Sequence, residues 1–146
     1  LSGGAGNDRL IGGTGADSLD GGANTDTVDY ALSDAAVTIN LTTGTHSGGH
    51  AQGDTISNVE NITGSAYNDT LTGNSSANVI KGGAGADTLE GSAGADIIDG
   101  GDDTDTLKYA LSAAAVVVNL ATNANAGGDA QGDVLTNIEN LSLIHI

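Results

Sequence analysis

The chain has 146 residues, 24 of them glycine and none proline, cysteine, methionine, tryptophan or phenylalanine. Nineteen acidic residues against three basic ones (Arg9, Lys81 and Lys108) give a formal charge of −16, which excludes nucleic acid and anionic lipid as partners, because lysine and arginine must neutralise phosphates there. The absence of cysteine excludes a disulfide framework and a thiolate metal site, and the bulkiest apolar stretch, Ala113 to Val118, is far short of the roughly 20 residues that insertion across a membrane needs. Glycine costs about 1 kcal/mol per helical site relative to alanine, so the composition points away from helices.

In chain order, residues 1–29 carry a run of nine-residue units, GGAGNDRLI, GGTGADSLD and GGANTDTVD, beginning at Gly3, Gly12 and Gly21. Residues 30–63 form a connector. It opens with YALSDAAVTINL at Tyr30, passes through the Gly-, Thr-rich TTGTHSGGHAQGD, and closes on Ile56, Val59 and Ile62. Alternation of Val37, Ile39 and Leu41 predicts a half-buried strand, the closing aliphatics predict further rungs, and residues 43–53 are expected to bulge outward. Residues 64–108 carry five more units, GSAYNDTLT, GNSSANVIK, GGAGADTLE, GSAGADIID and GGDDTDTLK, beginning at Gly64, Gly73, Gly82, Gly91 and Gly100. Residues 109–140 repeat the connector at an offset of 79, with YALSAAAVVVNL at Tyr109 and AQGDVLTNIENL at Ala130. The last six residues, LSLIHI at 141–146, break the pattern and are expected to be a non-native or truncated end.

Three places of the nine carry the information. The first is always glycine. The sixth reads Asp8, Asp17, Asp26, Asp69, Asn78, Asp87, Asp96 and Asp105, and the eighth reads Leu10, Leu19, Val28, Leu71, Ile80, Leu89, Ile98 and Leu107. Glycine at the first, second and fourth places indicates a turn that needs positive φ or a close backbone approach. The polar–apolar–polar triplet after the aspartate indicates a short strand with one side chain inward. Two strands and two turns close a coil of 18 residues, so units stack on their second neighbours at the inter-strand spacing of about 4.8 Å. The fold class expected is all-β: a parallel β-roll or β-solenoid, in two tandem repeat runs with strand-containing connectors.

Such stacking sets Asp8 near Asp26, Asp69 near Asp87, Asp87 near Asp105, and Asn78 near Asp96. Two carboxylates about 5.5 Å apart at an effective dielectric near 20 repel by roughly 3 kcal/mol, which opposes folding unless a cation lies between them. Carboxylate and carbonyl oxygens are hard ligands whose flexible cages suit Ca²⁺ better than Mg²⁺, and a lattice without imidazole or thiolate argues against zinc or copper. His46 and His50 have Asn125 and Asp129 as counterparts in the second copy, so they are read as solvated loop residues. The ninth-place Asp20, Asp29, Glu90 and Asp99 are read as a solvated outer face. Asp54 and Asp133, which do recur, are given a local structural role.

GGAGNDRLI, GGTGADSLD and GGAGADTLE resemble the RTX (haemolysin-type calcium-binding) nonapeptide, Gly-Gly-x-Gly-x-Asp-x-apolar-x, for which parallel β-roll stacking is expected. The resemblance covers eight units. It implies Ca²⁺ bound by Gly3 and Asp8, Gly12 and Asp17, Gly21 and Asp26, Gly64 and Asp69, Gly82 and Asp87, Gly91 and Asp96, and Gly100 and Asp105. The set extends least securely to Asn78, which replaces the aspartate in the least regular unit. It also implies a secreted, extracellular or cell-surface bacterial protein, exported by a type I secretion apparatus and folding on extracellular calcium. The function expected is a calcium-binding structural module, not an enzyme. Alternatives are an extender or surface segment of an RTX adhesin, with an adhesion ligand, or the C-terminal secretion module of an exported protease or lipase. No His-Glu-x-x-His run or Gly-x-Ser-x-Gly elbow is present to supply catalysis.

Overall fold

The computed structural model describes residues 1–143. The first run contributes β1 (Ser2–Ala5), β2 (Arg9–Leu10), β3 (Ser18–Ala23) and β4 (Thr27–Asp29). The first connector follows with β5 (Thr38–Asn40), β6 (Thr45–Ser47), a 3₁₀ turn at Gly49–Ala51, β7 (Thr55–Ser57) and β8 (Asn61–Thr63). The second run contributes β9 (Thr70–Thr72), β10 (Val79–Ala84), β11 (Thr88–Glu90), β12 (Ile97–Asp102) and β13 (Thr106–Tyr109). The second connector adds a 3₁₀ turn at Gly128–Ala130, β14 (Val134–Thr136) and β15 (Asn140–Leu143). Among the described residues no helix is long and apolar enough to cross a membrane.

These strands form parallel stacks. One six-stranded sheet runs in the order β14-β12-β10-β8-β4-β2, a second in the order β15-β13-β11-β9-β5-β6, and a three-stranded sheet in the order β1-β3-β7. Within the runs the register is two units per coil: Leu10 pairs with Val28, Ile80 with Ile98, and Leu71 with Leu89. Because the pairing is in register and parallel, the eighth-place side chains stand in files inside the coil. Leu19, Val28, Leu71, Ile80, Leu89, Ile98 and Leu107 are all fully buried. Burying each such side chain stabilises by about 1.5–3 kcal/mol, and connector residues such as Val37, Ile39 and Ile62 extend the same narrow core. The fold is thus an all-β parallel roll built from the nine-residue units.

Strands from the connectors join the same sheets. β7 pairs with β3, Leu19 opposite Ile56; β8 pairs with β4, Val28 opposite Ile62; and β5 pairs with β9, Ile39 opposite Leu71. In the second copy β14 pairs with β12 and β15 with β13. Residues 43–53 depart from the outward bulge read from their composition. β6 turns back antiparallel along β5, with His46 opposite Ile39, and His46 and Ala51 are buried. The return is made at Gly44, which takes φ of 68° and donates its N–H to the Asn40 carbonyl at 2.9 Å; Gly48 and Gly49, also at positive φ, follow β6. The second copy has only a single antiparallel bridge there, Val117 to Ala126. At the chain end, residues 141–143 continue β15 alongside β13, and the expectation made for 144–146 lies outside the described residues.

Candidate metal centre

Each sixth-place residue sits where a turn enters a strand, and its backbone N–H points along the stack to the side chain one coil further on. Asp8 N–H donates to Asp26 Oδ1 at 2.7 Å, and Asn78 N–H to Asp96 Oδ1 at 2.9 Å. On the other wall, Asp69 N–H donates to Asp87 Oδ1 at 2.7 Å, and Asp87 N–H to Asp105 Oδ1 at 2.8 Å. The aspartates therefore form two ladders in the register their spacing predicts. One oxygen of Asp26, Asp87, Asp96 and Asp105 is thereby committed to the peptide one coil back.

The other oxygen is the unusual feature. Oδ2 of Asp8, Asp17, Asp26, Asp87, Asp96 and Asp105 is buried without a hydrogen-bond partner. Leaving one buried acceptor unmade costs about 1–3 kcal/mol, and more for a charged group, so six in one small protein mark a place where a ligand is required. Gly82 shows why the first place is always glycine. A Cβ there would fall onto Asp87 Oδ2 and the carbonyl oxygen of Gly100, one coil further on. Gly3 is crowded in the same way by Asp8 Oδ2 and the Gly21 carbonyl. Positive φ is taken at other places, as by Gly83 and Gly85, and Asn24, Ser92 and Asp103 adopt it where the repeat has glycine. The first-place glycine thus lets a bare carboxylate oxygen and a peptide carbonyl oxygen approach one spot. That donor set fits a hard cation that takes six to eight oxygens. No group of three or more His, Cys, Asp or Glu side chains converges among the described residues, so backbone carbonyls must make up the coordination.

Electrostatics agree with the geometry. Burial pushes the Asp87 carboxyl up to about 7, with Asp69 and Asp105 adding repulsion against the hydrogen bond that Asp69 N–H supplies. Burial pushes Asp96 up to about 6, with Asp133 adding to the effect. Asp105 is raised by burial and by Glu139. Without a cation these groups resist ionisation.

Two units of the predicted set behave differently. At Gly64–Asp69, the Ser65 N–H donates to Asp69 Oδ2 at 2.5 Å, while Val37 N–H and Ser65 Oγ donate to Oδ1. At Gly73–Asn78, the Asn74 N–H donates to Asn78 Oδ1 at 2.9 Å, and Asn78 Nδ2 donates to the Glu60 carbonyl. Serine and asparagine replace the second glycine in these units, and their turns present an N–H inward. The oxygens left bare elsewhere are satisfied by the chain itself.

Four carboxylates outside the repeats join the ladders. Asp17 N–H donates to Asp54 Oδ1 at 2.8 Å, and Asp26 N–H to Glu60 Oε2 at 2.9 Å. In the second copy Asp96 N–H donates to Asp133 Oδ1 at 2.9 Å, and Asp105 N–H to Glu139 Oε2 at 2.8 Å. The second oxygens of Asp54 and Asp133 accept from the buried hydroxyls of Tyr30 and Tyr109, each at 2.7 Å. Burial and the neighbouring aspartate push both phenols up, which keeps the donor proton in place. Sequence reasoning gave Asp54 and Asp133 a local structural role but missed their tyrosine partners and the parts of Glu60 and Glu139; the only signal was the recurrence of each residue at the offset of 79.

Three sequence readings are corrected. Asp29 and Glu90 are buried, not part of a solvated face. Asp29 accepts Arg9 Nε at 2.6 Å and the Ala31 N–H, and Glu90 accepts the Leu111 N–H, so both fasten the start of a connector or a neighbouring rung. His46 is buried with neither ring nitrogen partnered, because β6 folds back over the coil. Burial pushes its pKa down. His50, partly buried, lies 3.9 Å from the exposed Asp34.

A family model described as the RTX calcium-binding nonapeptide repeat (4 copies) matches residues 1–32, 54–89 and 72–107, which together cover more than half of the chain. No curated protein matches the chain.

Proposed function

The chain belongs to the RTX calcium-binding nonapeptide repeat family, and from that premise we propose that it is a structural module of a secreted protein whose folding is coupled to extracellular calcium after type I secretion. The observation that carries this reading is the set of six buried, unpartnered Oδ2 atoms of Asp8, Asp17, Asp26, Asp87, Asp96 and Asp105. These aspartates, with carbonyl oxygens of the turns, would hold Ca²⁺; Asp69 and Asn78 are left out because the chain satisfies them. Bound calcium supplies positive charge between stacked carboxylates. A metal that binds only the folded form adds its binding free energy to folding, and extracellular-type sites are weak enough to stay empty at cytosolic calcium levels. The chain would then remain unfolded during export and fold outside.

Circular dichroism of the chain in chelator and in millimolar calcium tests the coupling. A coil spectrum in chelator and a β spectrum with calcium are expected. Equal β content in both would sink the reading.

A further inference from the structure

The end of each run poses a question that the repeat cannot answer. Asp26 and Asp105 belong to the last units, so no nonapeptide follows to supply the facing oxygens. Both residues are fully buried, and both keep a bare Oδ2. A connector residue stands in each missing position. A Cβ on Gly21 would fall onto the carbonyl oxygen of Asn58, and one on Gly100 onto the carbonyl oxygen of Asn137. Inside the second run, the Gly100 carbonyl occupies the same place against Gly82. Asn58 and Asn137 both adopt φ of 51°, a left-handed conformation that asparagine tolerates better than most residues. The carboxylate is replaced as well: Glu60 and Glu139 accept the N–H groups of Asp26 and Asp105, as Asp105 does for Asp87.

We propose that the connectors complete two further cation sites at the seams. One is formed by Asp26, the Asn58 carbonyl and Glu60, and the other by Asp105, the Asn137 carbonyl and Glu139. The inference rests on the calcium reading above and extends it to residues outside the nonapeptides. The ligand is a divalent hard cation, because every donor is oxygen and two carboxylates meet at each seam. The neighbouring rung is built otherwise. Tyr30 and Tyr109 occupy the second oxygens of Asp54 and Asp133, and no connector carbonyl crowds Gly12 or Gly91. Within each connector, Glu60 and Glu139 are therefore the ligands, and Asp54 and Asp133 are hydrogen-bonded supports.

The test is a count of calcium ions bound by the full 146-residue chain, by equilibrium dialysis with calcium alone, in wild type, in the double variant Glu60→Gln/Glu139→Gln, and in Asp34→Asn. Gln keeps an acceptor for the Asp26 and Asp105 N–H groups, and Asp34 is an exposed carboxylate outside the ladders that controls for lost charge. The double variant is expected to bind fewer ions than wild type, or to bind its last ions at least tenfold more weakly, while Asp34→Asn keeps the wild-type count. An unchanged count and affinity in the double variant overturns the seam sites. If the double variant does not fold in calcium, Glu139→Gln alone is read the same way, and a wild-type count in it overturns them too. A wild-type chain that binds no calcium defeats the proposed function itself, a different result from a chain that binds calcium without using the glutamates.

Discussion

The turns at Gly64–Asp69 and Gly82–Asp87 stack on one another on the same wall, with Leu71 and Leu89 paired beneath them. Yet one has all its oxygens filled by the chain, and the other has a buried oxygen with nothing on it. The difference traces to the second residue of the unit. Gly83 takes φ of +117° and turns its peptide away, whereas Ser65 lies outside the left-handed region and gives its N–H to Asp69. The backbone conformation at the second place thus separates a rung that closes itself from one that awaits a cation: Ser92 takes φ of +73° there, and Asp96 Oδ2 stays bare. The same solution recurs at Asn74 and Asn78, so the self-satisfied rungs sit together where the first connector meets the second run.

The largest effect that would sharpen this comparison comes from the first-place glycine. Gly82→Ala drives a Cβ into Asp87 Oδ2 and the Gly100 carbonyl and is expected to abolish calcium-induced folding, or to destabilise it by more than about 3 kcal/mol, at the upper end for overpacking. Gly13→Ala meets nothing within 4 Å but sits at φ +91°, and should cost about 1–2 kcal/mol for the left-handed backbone alone. Urea denaturation in calcium measures both; equal costs would mean that the space beside the first glycine is not special.

Next in size is the response to pH in chelator. Asp87 and Asp96 have folded pKa values raised to about 7 and about 6, above the unfolded carboxylate value near 3.9. The folded state therefore binds more protons than the unfolded state between those values, and stability falls as pH rises through that window. Any residual apo structure should be strongest near pH 4 and lost by pH 8. Calcium should reverse the slope, because its ligands must be ionised. Urea midpoints at pH 5 and 8, with and without calcium, report it; stability rising with pH in chelator would contradict the buried, unpaired carboxylates.

The two aspartates themselves should then part. Asp69→Ala strands the Ser65 and Val37 N–H groups, at about 1–3 kcal/mol each when buried, and should destabilise the calcium-loaded protein without changing how many ions bind. Asp87→Asn keeps the acceptor for Asp69 N–H and removes a charge, so it should raise the calcium midpoint of folding. Its effect should exceed that of Asp17→Asn, since Asp87 has charged neighbours on both sides. A larger shift for Asp17→Asn would reject the idea that mid-stack position sets calcium dependence. A smaller effect than that of Asp69→Ala is expected from Tyr109→Phe. It removes one hydrogen bond to a carboxylate, worth about 1.5–3 kcal/mol, and should lower the urea midpoint in calcium without changing the calcium count. A lost ion would show that the tyrosine rung is part of a cation site.

Much of this molecule was legible from its period. Nine-residue spacing of one glycine, one carboxylate and one aliphatic determined the coil of two units, the inward file of Leu, Ile and Val, and the stacking of Asp87 between Asp69 and Asp105. It could do so because parallel in-register strands repeat their contacts as often as the sequence repeats its letters. The tertiary structure alone decided which carboxylate oxygens stay bare, that Tyr30 and Tyr109 hold Asp54 and Asp133, that Asp29, Glu90 and His46 are buried, and that Glu60 and Glu139 extend the ladders. Each of those facts depends on one unrepeated peptide orientation or on where a connector re-enters the coil, between residues up to 34 apart. A local pattern carries no information about such meetings until the chain has closed on itself.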